Sequence, residues 1–109
     1  MMEKPILMTK VKNAIMKKRN NVSFALRNIN INGDKRGCSG FIVNDINQTV
    51  VYINTEPCGG ALKYMYRYAD NTKDFTGYHN RWAQSFEELI NAVNDLLDKS
   101  PAEVNDTRI

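Results

Sequence analysis

The chain has 109 residues, of which 42% are hydrophobic and 25% charged. That length supplies one hydrophobic core and excludes a multidomain enzyme, a solenoid and a collagenous or disordered chain. The net charge of +3 hides a division: positions 1–36 hold nine Lys and Arg against two acids, a net +7, whereas 37–109 carry a net −4.

No run approaches the ~20 apolar residues of a membrane span. The opening residues also lack the apolar segment and cleavage site of a signal peptide. The expectation is a cytoplasmic protein without membrane partners. Cys38 and Cys58 are too few for a disulfide framework and read as free thiols.

Leu7, Val11, Ala14 and Ile15 recur at helical spacing, with Lys18 in register, and predict a helix over about 6–18. Lys17, Lys18 and Arg19 then fall in its last turn, where cations complement the helix dipole. Asn20-Asn21 ends it. Val22, Phe24 and Leu26 alternate as a strand does, but Ile29 and Ile31 sit on the opposite parity, which predicts a bulge near Arg27-Asn28. Asn32-Gly33 is a strong turn signal, and Gly37 and Gly40 read as extending a loose stretch.

Phe41-Ile42-Val43 and Thr49–Ile53 are β-branched runs around a polar connection, the clearest hairpin of the chain. Leu62, Tyr64, Tyr66 and Tyr68 alternate with Lys63, Met65 and Arg67 and predict a fourth strand with an aromatic face. Positions 70–84 read as a long polar loop holding Phe75, Tyr78, His79, Arg81 and Trp82. Ser85-Phe86-Glu87-Glu88 is a capping box, and Phe86, Leu89, Ile90, Val93, Leu96 and Leu97 continue a helical stripe until Pro101. The expected fold is α+β: a single domain over 1–101, an antiparallel sheet of about four strands flanked by an N-terminal and a C-terminal helix. Positions 102–109 read as a polar, frayed tail.

Catalysis finds little support. A Cys58–His79 pair with Asp74 as orienter can be drawn, but nothing in their spacing favours it over a core thiol and a loop histidine. Metal ligands at short spacing and a phosphate-binding glycine loop are both lacking, so no enzyme, metal or small-molecule cofactor is expected. Binding has more behind it. Lys10, Lys12, Lys17, Lys18 and Arg19 would form a basic helical surface whose affinity for an acidic partner falls with salt. Tyr64, Tyr66 and Tyr68, with Arg67 on the same strand, could stack unpaired RNA bases if their face is exposed, although tyrosines on a sheet are more often core. Arg36-Gly37 and Gly40–Val43 echo an RNA-recognition signature only faintly, with an extra residue between. Tyr78 and Arg81 belong to the residue types that dominate protein interfaces. They read as exposed, and Trp82 as a plug at the end of the core.

The stretch Arg67–Asp70, Lys73–Gly77, Asn80–Ala83 and Phe86–Ile90 resembles small accessory domains of Gram-positive plasmids, phages and conjugative elements, including the large polyvalent protein-associated class. The resemblance covers about 62–97 and carries no catalytic motif. It implies a mobile-element protein, in a setting where short proteins inhibit host defence, as anti-CRISPR proteins do on a Cas nuclease, or regulate transfer genes. Strongly acidic DNA mimicry does not suit this chain. Its basic front end fits guide RNA or an acidic protein surface better, while Glu87, Glu88, Asp95 and Asp98 could meet a basic one. The leading expectation is an inhibitor of a host defence complex. An RNA-binding regulator is the alternative.

Overall fold

A computed structural model describes residues 8–31, 34–55, 63–73 and 78–106, with side chains placed outside 26–38. The first helix, α1, runs over Met8–Met16. Met8, Val11 and Ile15 are its buried positions, as three- and four-residue spacing requires. It stops short of the expected end. Lys17, Lys18 and Arg19 lie in the turn beyond it, where the Lys18 and Arg19 amides both reach the Ile15 carbonyl.

Five strands follow, in one antiparallel sheet whose spatial order is the order of the chain. They are β1 (Val22–Ile31), β2 (Asp34–Asn44), β3 (Val50–Asn54), β4 (Tyr64–Ala69) and β5 (Arg81–Ala83). The architecture is therefore α+β, as the sequence predicts, with one strand more than expected. The parity change in β1 is a real irregularity: pairing with β2 shifts between Arg27 and Ile29. By contrast, Gly37 and Gly40 both lie inside β2. Gly40 is held there by pairing with Leu26 and Ile53, strands on either side supplying the ladder that local propensity does not, and Gly37 falls opposite the register shift between Arg36 and Ser39. The Asn32-Gly33 turn lies outside the described residues.

The β2–β3 turn forms where the hairpin signal stands, with Val43 paired to Val50 and Gln48 at φ 63°. Asparagine side chains replace missing backbone partners there. Asn44 Oδ1 accepts from the Ile46 amide at 3.0 Å and Asn47 Oδ1 from the Thr49 amide at 3.0 Å.

The second helix, α2, spans Phe86–Leu97. Ser85 caps it, its hydroxyl accepting from the Glu88 amide at 3.1 Å. The Glu88 carboxylate reaches back one residue further than the usual box, to the Gln84 amide at 2.9 Å. Both helices pack on one face of the sheet. There Met8, Val11 and Ile15 share one buried cluster with Ile42, Val51, Ile53, Tyr68 and Ala83, and Leu89, Val93 and Leu97 complete it. The opposite face gathers Phe41, Val50, Tyr52, Met65 and Ala69, with Trp82 packed against them.

Residues 102–106 depart from the frayed tail the sequence suggests. Ala102–Val104 form a 3-10 turn and Asp106 is buried. No helix among the described residues is long and apolar enough to cross a membrane.

Candidate docking surface

Period two places Tyr64, Tyr66 and Tyr68 on one face of β4, the face against which α2 packs. Tyr68 is 0% exposed. Its hydroxyl donates toward the carbonyls of Leu96 at 3.3 Å and Lys99 at 2.8 Å, at and just beyond the end of α2. Burial pushes its phenol up to about 12, opposed by the nearby Arg81 cation. Tyr64 and Tyr66 are half-buried against the same cluster, and burial raises the Tyr66 phenol as well. The strand therefore offers no open stacking platform for bases. Its tyrosines carry α2.

Arg67 faces the other way, paired to Tyr52, and lies apart from the helix layer. Its Nε is buried without a hydrogen-bond partner among the described residues. Arg81 and Tyr78, expected in an open loop, are drawn inward. Arg81 sits on β5, with its guanidinium carbon 5.8 Å from the Tyr68 ring centre and Nη2 donating to Asp106 Oδ2 at 3.2 Å. Tyr78 meets Tyr68 edge-on at 6.1 Å and donates to Asp70 Oδ1 at 2.8 Å. His79 Nδ1 stands 3.2 Å from Asp106 Oδ1. The histidine is thus engaged with the C-terminal segment. Cys58 and Asp74, the other members of the triad drawn from sequence, lie outside the described residues. These residues had no loop signature to betray their roles: Asp106 is one acid in a polar tail, and its burial depends on where β5 lies.

The basic residues of α1 and of the turn that follows it separate into three groups. Arg19 is taken up by α2: Nε donates to Asn94 Oδ1 at 2.9 Å, and Nη2 pairs with Asp98 Oδ2 at 2.7 Å. Lys12 lies on the flank toward β1, its Nζ 5.7 Å from the Phe24 ring centre. Lys10, Lys17 and Lys18 converge on the seam between α1 and α2. Two adjoining clefts of about 450 and 380 Å³ open there, sharing Ala14, Lys17 and Phe86 in their walls, with Ile90 closing the first.

Ala14 is the small residue that leaves this seam open, while Phe86, the first residue of α2, forms a wall. Lys10 Nζ sits 4.8 Å from the Phe86 ring centre, a cation held over an aromatic face. The side chains of the other two lysines make no hydrogen bond or ion pair with any described residue. Glu87 and Asn91 border the cleft on the α2 side, leading to Glu88 and Asp95. Ala14, Phe86 and Ile90 were legible only as core positions, because the sequence does not show which helices lie side by side. No group of His, Cys, Asp and Glu among the described residues could hold a metal ion.

No protein-family model matches the chain, and neither a curated protein nor a solved structure matches it.

Proposed function

We propose that this protein works by binding rather than catalysis, as an inhibitor of a host defence complex that docks on an acidic surface of it. The observation that carries this reading is the convergence of Lys10, Lys17 and Lys18 around an apolar seam lined by Ala14, Phe86 and Ile90. Cations spaced around an apolar strip provide long-range attraction and short-range burial together, the combination protein interfaces use. The mobile-element setting comes from the sequence resemblance over about 62–97. RNA recognition through β4 is disfavoured, since its tyrosine face is under α2.

The test is cleavage by a purified CRISPR RNA-guided nuclease with and without the protein. Inhibition that weakens as salt rises, and that is lost in the Lys10→Glu/Lys17→Glu/Lys18→Glu variant but kept in Lys73→Glu, supports the reading. Undiminished cleavage by nucleases of several types at saturating protein would overturn the defence target. Inhibition indifferent to the triple substitution would overturn the surface.

A further inference from the structure

We propose that the α1–α2 seam is a groove for an acidic amphipathic helix of the partner, which seats apolar side chains between the two helices and carboxylates against the lysines. The proposal rests on the docking reading above and names what that surface accepts.

Three observations lead to it. The helices run side by side in the same direction: Lys10 and Phe86 meet near their N-terminal ends, and Arg19 reaches Asn94 and Asp98 near their C-terminal ends. Two such cylinders leave a furrow along their outer side, and here Ala14 is the smallest side chain lining it from α1, flanked by Thr9, Asn13 and the three lysines. Clefts of about 450 and 380 Å³ in line along that furrow suit successive anchors of one helix, at three- and four-residue spacing.

Charge selects the occupant. Lys10, Lys17 and Lys18 border the clefts against Glu87 alone. Lys17 and Lys18 stand just beyond the end of α1 and are exposed. A basic or neutral helix would leave these cations unpaired beside its own surface, whereas glutamates flanking the anchors would meet them. A second copy of the chain could bring its own Glu87, Glu88 and Asp95 to the same place. The α2 residues that would serve as its apolar anchors, however, are turned into its own core: Leu89, Val93 and Leu97 are fully buried. The second copy therefore offers carboxylates without anchors.

The probe is a fluorescent, terminally blocked peptide with leucines at every third or fourth position and glutamates between them. Anisotropy measured on the full-length protein should show saturable binding. Two controls, one with lysines for glutamates and one with serines for leucines, should bind at least about tenfold more weakly. Ala14→Gln, which fills the cleft with a helix-compatible side chain, and Lys17→Glu should each weaken the Leu/Glu peptide by a similar factor, with unchanged circular dichroism. Lys73→Glu should have no effect.

No binding of the Leu/Glu peptide overturns the proposal, and so does equal binding of the serine control, which would make the lysines a plain charged surface. A sedimenting dimer dissociated by Ala14→Gln would assign the groove to a second copy and overturn it too. Failure here with salt- and lysine-dependent nuclease inhibition intact removes the groove and leaves the docking reading standing. Peptide binding without inhibition of any nuclease does the reverse.

Discussion

Arg19 and Asp98, 79 positions apart in the chain, meet through Nη2 and Oδ2 at 2.7 Å. The same guanidinium holds Asn94 by its side chain and, at 3.3 Å, by its carbonyl. The basic and acidic parts of the sequence are thus partly neutralised against each other where the two helices end, and the arginine is withdrawn from any docking role. Cations at the C-terminal end of α2 also complement its dipole.

Arg19→Ala should lower stability by about 1–2 kcal/mol, since three polar groups lose a donor. Asp98→Asn should cost under about 0.5 kcal/mol, because Asp98 is 60% exposed and water screens the pair. Urea denaturation of the two variants checks the ordering.

Asn44 donates to the Leu97 carbonyl at 2.7 Å and Asn47 to the same oxygen at 3.1 Å, so one turn of the sheet closes the end of α2. Asn44→Ala should cost about 1–3 kcal/mol, as it opens a small void and removes the shorter bond from a buried site. Asn47→Ala should cost less, being exposed. Hydrogen exchange at the last turn of α2 should accelerate in both.

Tyr68 should ionise late. Its phenol is pushed from 10.0 up to about 12 in the folded state, so folded and unfolded chains are equally neutral below pH 10 and this residue imposes no pH dependence there. Above pH 10 the unfolded chain loses the proton first, and stability falls as pH rises through the interval to about 12. Tyr68→Phe should abolish that share of the alkaline loss. It should also lower neutral-pH stability by about 1 kcal/mol through the bonds to Leu96 and Lys99. Phenolate absorbance and thermal melts across the alkaline range measure both.

Asp106 is 6% exposed and accepts from Arg81. Asp106→Ala should cost about 2–3 kcal/mol, because it strands a partly buried guanidinium whose Nε already lacks a partner among the described residues. Truncation after Asn105 should reproduce the loss. If both variants melt with the parent, the C-terminal segment has no structural role.

Lys10→Glu/Lys17→Glu/Lys18→Glu should stay within about 1 kcal/mol of the parent, since these lysines are exposed and carry no ion pair with any described residue. A stable variant with lost partner binding separates the surface from the fold.

The sequence by itself determined what depends on neighbours along the chain: α2 from its cap and apolar stripe, the β2–β3 hairpin from its β-branched runs, and the bulge at Arg27–Ile29 from a change of parity. Only the tertiary structure decided which face of β4 is covered, that Arg81–Ala83 become a fifth strand, and that Arg19, Arg81 and Asp106 are engaged inside the molecule. A three-residue strand has too little periodicity to announce itself and exists because β4 supplies its hydrogen bonds. The division of charge was likewise visible from the start. Its meaning came from α1 and α2 lying on one sheet face, where burial of their apolar sides brings the basic helix against the acidic one and leaves three lysines around the seam.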